Sequence, residues 1–529
     1  MNFHGQQIIG DTLSADSEEI FQGIKPKTAQ SLPGDFHEAT NDEIDRAVTL
    51  AAESFDEFRK KSNAEKAAFL EAIADETLAF GDALLNRASA ETGHPLERCA
   101  AERSRSVNQA RLFAEMVREG SWVDARIDHA EPDRQPLPKP DIRSMLLPIG
   151  PVGVFGASNF PIAISVLGAD TISAFAAGCP VVIKAHPAHP GTCEAAAQII
   201  VNAIKKCRLP AGIFSLVHGR TVRVGTELVK HPALAAAAFT GSLKGGRALF
   251  DVANSRPVPI PFYAEMGSVN PIFVLPEALE QRSAEIAAGF ITSLTTGVGQ
   301  FCTNPGLVLG MGDSQGWENF RSTSAQLAAE YDPQTMLHCG IHYAFEEGVK
   351  ELQHMGGLML ASRSTRDPIE QKSEAACYLF ETDSEGLHHH PALFDEVFGP
   401  VSTLVKCGDP GDLETFANQM DGSLTASIHG TEQDLKNHSG LVSILEKKAG
   451  RLIFNGYPVG LEVCDSIHHG GPYPATCHSY FTSIGTRCIN RFVRPVCYQS
   501  WPQSALPPEL QDGNPSGVMR IVDGERTRN

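Results

Sequence analysis

The sequence predicts an α/β protein with two sheet-forming regions, and three observations predict it. From residue 151 to about 254, short apolar runs alternate with stretches of helical periodicity. A second series of the same kind starts near Tyr263. Two extended stretches, 125–150 and the segment after Gly485, fit neither series. Repeated strand–helix units imply a parallel sheet covered by helices. Such sheets bind ligands beyond the carboxyl ends of their strands.

The elements follow in order. Residues 41–118 read as helices: Thr40 or Asn41 is a capping residue, and Gly93 is a stop where a left-handed C-cap is expected. ERSRSVNQARLFAEMV is the last of these helical segments. Residues 125–150 are charged and carry four prolines between positions 132 and 140, which predicts an extended arm. PVGVFG is then a strand, 160–177 a helix, CPVVIKA a strand and CEAAAQIIVNAIKKC a helix. GIFSLVHG, VRVGTELVKHP, AAAAFTGS and LKGGRALFDVAN continue the alternation. The second series runs through PIFVLP, SAEIAAGFITSLTTG, GLVLGMG, VSTLVKCG, LTASIHG and GRLIFNG. After 485 a strand and a proline-rich tail follow, and the two arms are expected to pair with each other or with another subunit.

Composition narrows the function classes. The chain has 529 residues, 42% hydrophobic and 20% charged, as in ordinary soluble proteins. A net charge of −19 repels phosphate backbones and anionic lipid, so neither nucleic acid nor a membrane surface is an expected partner. The most apolar stretch, 161–183, contains Asp170, Gly178 and Pro180 and reads as a buried helix and strand, not a membrane span. The N-terminus shows no secretory pattern, and twelve scattered cysteines without CxxC fit a reducing cytoplasm. His388–His390 and His468–His469 lack carboxylate or cysteine partners at ligand spacing, so no metal is expected.

Motifs taken singly say little. GxGxxG is absent; FTGSLKGG, between a strand and a helix, offers Gly241, Ser242 and a helix N-terminus to a pyrophosphate. Cys302 in GQFCTNPG reads alone as a buried inert thiol, Glu265 in YAEMGSVNP as a cap or surface carboxylate, and Asn159 in SNFP as a helix cap. Taken together, GASNFP, VVIKAHPAHPG, FTGSLKGGR, AEMGSVNP, GQFCTNPG, DEVFGP and HHGGPYPAT…SIGT…RFVRPV occur in one order over most of the chain. This order resembles the aldehyde dehydrogenase superfamily, over roughly residues 10–510. The wording IPFYAEMGSVNP, GQFCTNPG and HGGPYPAT is similar to bacterial NADP-preferring 2,5-dioxovalerate (α-ketoglutaric semialdehyde) dehydrogenases and to a related long-chain aldehyde dehydrogenase.

The resemblance implies a Rossmann-like cofactor domain (1–124 and 148–264), an α/β catalytic domain (265–470), and an oligomerisation arm with a C-terminal tail (125–147 and 471–529). It implies Cys302 as nucleophile, Asn159 as oxyanion donor, and Glu265 as the base that activates water. Lys184, Gly241, Ser242, Glu396 and Phe398 are implied as cofactor contacts. Where NAD-selective relatives often have Lys-Pro-Ala-Glu, this chain has Lys184-Ala185-His186-Pro187. With that carboxylate missing and Arg223 (or Arg220) available to a 2′-phosphate, NADP is expected over NAD. The substrate tunnel is expected to include Phe160, Ile164 and Leu167, with Arg105 for the distal carboxylate of a semialdehyde acid. His469 lies near the expected tunnel mouth. The expected reaction is oxidation of an aldehyde, 2,5-dioxopentanoate to 2-oxoglutarate, in a cytoplasmic homodimer or homotetramer. The alternatives are a long-chain or broad-range aliphatic aldehyde, or a CoA-acylating enzyme.

Overall fold

A computed structural model describes residues 3–312 and 314–529. Its first seven-stranded sheet runs in the order 262–265, 236–240, 152–155, 181–184, 214–217, 7–9, 12–14. The first five strands of that order, from the edge strand Phe262–Glu265 to Phe214–Val217, are parallel to one another. They are short apolar runs buried on both faces, as parallel strands between helices must be. The sheet is closed at one edge by a hairpin the sequence reading did not anticipate. Gln7–Ile9 pairs antiparallel with Phe214–Val217 and turns through Gly10, at φ +60°, into Thr12–Ser14.

Four helices cover residues 41–119: Asn41–Phe58, Asn63–Ala79, Asp82–Thr92 and Leu96–Glu119. The first two begin with capping boxes, Thr40 with Glu43 and Ser62 with Glu65. The next two stop at Gly93 and Gly120, both left-handed. Phe58, Phe69 and Phe175 meet edge-to-face beneath them in the main core.

The expected helix over 160–177 is shorter than its apolar pattern suggests. The helix is Ala169–Ala177, capped by Gly168, and 160–168 is a chain of turns. Pro161 holds Phe160 out of helical geometry. The backbone then closes on itself, Ala157 N–H donating to Ile164 O at 2.9 Å and Gly168 N–H to Ser165 O at 2.9 Å. A Cβ on Gly168 would lie 2.8 Å from that Ser165 oxygen, so only glycine fits the last turn. Asn159 is therefore a turn residue and not a helix cap.

The second seven-stranded sheet has the order 359–363, 378–383, 401–407, 307–311, 272–274, 423–429, 449–454. It is parallel apart from its edge strand Met359–Arg363. The two extended arms pair with each other: Val493–Gln499 runs antiparallel to Ile142–Pro148, in register from Val493↔Pro148 to Gln499↔Ile142. Arg126–Asp128, Arg520–Val522 and Glu525–Thr527 complete this five-stranded sheet, so the tail ends in strands. Among the described residues no helix is long and apolar enough to cross a membrane.

Candidate active site

The first sheet delivers side chains to one edge. Register places Thr240 beside Glu265 and Lys184 beside Phe155 at the carboxyl ends of their strands. A cavity of about 860 Å³ opens there, lined by Asn159, Gly241, Ser242, Glu265, Cys302, Glu396 and Phe398 among others.

Cys302 sits in a loop wound tightly by its sequence. Gly297, Val298 and Gly299 all have positive φ, +58°, +62° and +65°. For the β-branched Val298 this is a strained state costing about 1–3 kcal/mol, held because its neighbours are pinned. Gln300 Oε1 accepts from Leu337 N–H at 2.9 Å, Asn304 Nδ2 donates to Gly399 O at 2.9 Å, and Asn270 Nδ2 donates to Cys302 O at 2.9 Å.

The half-buried thiol Sγ lies 3.4 Å from His469 Nε2, which also lies 3.0 Å from Glu265 Oε1. Ser483 Oγ donates to the other oxygen of Glu265. Burial alone would raise the Glu265 pKa; the charge and hydrogen bond of His469, with the Ser483 and Cys302 bonds, outweigh it and bring it down to about 2. Burial and the facing Glu265 charge push the Cys302 thiol up, against the opposing pull of Arg105. A thiol in that setting needs an adjacent base, and the ionised Glu265, with His469 between the two, is in place to act as one.

Asn159 is fixed at both ends. Its backbone oxygen accepts from Arg98 Nη2 at 2.9 Å and lies 3.3 Å from His94 Nε2, while its own Nδ2 donates to Gln300 O at 3.1 Å. A carboxamide nitrogen has two N–H donors, so one remains for the cavity beside Cys302.

The cofactor-side residues divide. Ser242 caps the helix Leu243–Ser255, its Oγ accepting from Gly245 N–H at 3.2 Å, so its own O–H and the first-turn amides face the cavity region as an anion site. Glu396 packs over Gly267, where a Cβ would lie 2.6 Å from Glu396 Oε2. Phe398 lines the same wall. Lys184 ends its strand, its pKa lowered to about 8 by burial, and stands outside the cavity lining, where His186 takes a place. Arg223 also lies outside it. Its guanidinium donates to Asn41 Oδ1 at 2.7 Å and Ala39 O at 2.6 Å, and lies 3.8 Å from Glu38.

On the other side of the Cys302 loop a second cavity of about 600 Å³ is lined by Lys27, Arg98, Arg105, Phe160 and Phe301. Phe160 meets Phe301 edge-on at 5.4 Å, and Arg105 lies over the Phe160 ring at 5.4 Å. Arg105 also borders a small pocket beside Glu265 and Ser483. Its Nε is buried without a hydrogen-bond partner, and burial lowers its pKa. Leu167 differs from expectation. It is 1% exposed, packs in the main core beneath the turns, and lines none of these cavities.

His469 and Ser483 have roles the motifs did not reveal. The glycine-flanked His468-His469 pair was visible in the sequence, but its link to Glu265 spans 204 positions.

The sequence model of the aldehyde dehydrogenase family matches residues 13–330, more than half of the chain. The chain belongs to the aldehyde dehydrogenase family. This aldehyde dehydrogenase is 45% identical over 526 residues to alpha-ketoglutaric semialdehyde dehydrogenase 2 of Azospirillum brasilense, covering 99% of this chain and 100% of that one. It is 43% identical over 528 residues to alpha-ketoglutaric semialdehyde dehydrogenase of Acinetobacter baylyi, covering 99% of each. Its fold matches an NAD⁺ complex of a betaine aldehyde dehydrogenase variant from Staphylococcus aureus with a TM-score of 0.78 at 17% identity, covering 94% of this chain and 97% of that one. A 1-pyrroline-5-carboxylate dehydrogenase also matches, with a TM-score of 0.78 at 19% identity and coverage of 94% and 93%. The enzyme is thus an α/β aldehyde dehydrogenase.

Proposed function

We propose that the enzyme oxidises 2,5-dioxopentanoate to 2-oxoglutarate with a nicotinamide dinucleotide, NADP in preference to NAD. The observation that carries the substrate is Arg105. A half-buried guanidinium with a buried, unpartnered Nε, between the 600 Å³ cavity and the pocket beside Glu265, suits an anionic substrate. A long-chain aldehyde would bring no counter-charge to that cation, and the cavity lining, with Lys27, Arg98, Glu102 and Glu374 beside it, is not the apolar tunnel an alkyl chain prefers. The names of the relatives at 45% and 43% identity agree with this substrate.

Cys302 Sγ attacks the aldehyde carbon as its proton passes to the His469–Glu265 pair and on to solvent, which leaves Glu265 ionised again. The alkoxide that forms is met by Asn159 Nδ2–H and the Cys302 N–H, a pairing whose single donors are each worth about 100–1,000-fold. When bound, the nicotinamide serves as the hydride acceptor. Cys302 is then left as a thioester, and Glu265, held ionised by His469 and Ser483, takes a proton from the water that hydrolyses it. This ready base is the reason to prefer water over CoA as acyl acceptor.

The residues present fit a dinucleotide. Gly267 leaves room for Glu396 at the ribose, the Ser242 helix start suits a pyrophosphate, and Gly241 and Phe398 complete the walls, with Lys184 reaching the adenosine ribose from its strand end. The absence of a carboxylate at 186–187 supports NADP. Arg223 would meet the 2′-phosphate by exchanging its bonds to Asn41 and Ala39. We further propose the three-part division given above, a homodimer or homotetramer built through the arm sheet, and a cytoplasmic location. Assaying 2,5-dioxopentanoate and an aliphatic series with NADP and NAD tests the reading: a higher kcat/KM for hexanal than for the semialdehyde acid would refute it.

A further inference from the structure

We propose that Glu265, Cys302 and His469 form a binding site for a soft divalent cation, Zn²⁺ above all, and that its occupation turns the enzyme off reversibly. A carboxylate oxygen, a thiol sulfur and an imidazole nitrogen all lie within 4.8 Å of one another. Two edges of this triangle measure 3.0 Å (Nε2 to Oε1) and 3.4 Å (Nε2 to Sγ). Zinc bonds of about 2.3 Å to sulfur and about 2.0–2.2 Å to nitrogen and oxygen, arranged tetrahedrally, give edges of about 3.3–3.6 Å. The two measured edges come within about 0.4 Å of those values, and the third, carboxylate to sulfur, is no longer than 4.8 Å.

The donors also select it. Thiolate and imidazole favour Zn²⁺ over Mg²⁺ or Ca²⁺, which prefer all-oxygen cages. Ser483 Oγ donates to the Glu265 oxygen that faces away from His469, fixing the carboxylate as an outer-shell partner does. His469 Nε2–H faces the ionised Glu265, so the metal must displace that hydrogen, and the unpartnered Nδ1 is free to hold the ring proton once Nε2 is a ligand. The half-buried Cys302 faces the 860 Å³ cavity, which leaves the fourth position to water. On binding, the S–H bond breaks, an Sγ–Zn bond forms and the proton leaves to solvent, with no change of oxidation state. The ligated sulfur then cannot attack an aldehyde, and Glu265 cannot activate water.

The test uses the full-length enzyme, freed of metal with a chelator and titrated with ZnCl₂ by calorimetry, with CoCl₂ as a spectroscopic probe. The expected result is one Zn²⁺ per chain, activity lost in step with occupancy, and full recovery with EDTA without any reductant. Co²⁺ should give a thiolate-to-metal charge-transfer band. Cys302→Ala and His469→Gln, checked for native folding by retained dinucleotide binding, should each weaken Zn²⁺ binding by at least about 100-fold. The double variant His388→Asn/His389→Asn, on the exposed histidine tract, should bind and be inhibited unchanged. Absence of a one-to-one site, its survival in Cys302→Ala and His469→Gln, or its loss in the tract variant would overturn the proposal. The calorimetric readout does not depend on which aldehyde is oxidised, so its failure is distinct from failure of the substrate reading.

Discussion

Replacing Arg105 with alanine isolates the recognition of charge from the chemistry. Among the described residues the Arg105 guanidinium makes no hydrogen bond to the protein and its Nε is unpartnered, so the substitution leaves no acceptor there stranded. What it removes is the counter-charge for the substrate carboxylate. Hydrogen bonds to charged groups are worth about 1.5–3 kcal/mol, and stranding a buried charge raises the loss to about 2–5 kcal/mol. Taking about 3 kcal/mol, kcat/KM for 2,5-dioxopentanoate should fall about 150-fold. Hexanal has no carboxylate, so its kcat/KM should change less than about threefold on the same scale. The lost contact over the Phe160 ring is shared by both substrates and belongs to stability, at about 0.5–2 kcal/mol. Steady-state kinetics with both aldehydes at saturating NADP read the difference directly. Equal losses for the two substrates would refute the role of Arg105, and Arg105→Lys should recover part of the activity toward the acid alone.

Other residues make separable predictions. His469→Gln removes the ring that links the thiol to Glu265, so acylation should slow by about 100-fold or more at neutral pH. Because burial and Glu265 push the Cys302 pKa up, the remaining rate should climb with pH further into the alkaline range than the wild-type rate does; a profile matching the wild type would give the proton transfer to another group. Asn159→Ala should lower kcat by about 100–1,000-fold with dinucleotide affinity unchanged, as stopped-flow binding and turnover together would show. Gly267→Ala puts a methyl 2.6 Å from Glu396 Oε2 and displaces that carboxylate. The cofactor KM should rise about tenfold, the value of one charged hydrogen bond, while thermal unfolding barely moves.

The fold was legible wherever local pattern and burial agreed. Val181–Lys184 and Phe214–Val217 are four-residue apolar runs flanked by glycine or proline, and helices such as Asn41–Phe58 announce themselves through caps. The pattern misled at 160–168, where residues apolar enough for a helix fold as turns because Pro161 and the crowding at Gly168 forbid one. Leu167 illustrates the cost: the family resemblance put it on a helix lining a tunnel, and the turns send it into the core. The edge hairpin at 7–14 is too short to show in periodicity. At the site, the motifs around Cys302, Glu265 and Asn159 are ambiguous singly and point to these residues only through the family resemblance of their order, as does the choice of Arg105; the structure brings the first three to one cavity. The bridge from Cys302 through His469 to Glu265 and Ser483 was not legible, because it joins segments far apart in the chain and no local signal records such a meeting.

The central claim is that Cys302 carries the acyl group and Glu265 releases it. Mixing Glu265→Gln with 2,5-dioxopentanoate and NADP, quenching in acid within seconds, and weighing the Cys302 peptide tests this most directly. The account predicts a burst of NADPH equal to the enzyme present and a Cys302 peptide heavier by one 2-oxoglutaryl group, held as a thioester. A steady rate without a burst, or an acyl group on any other residue, would contradict it.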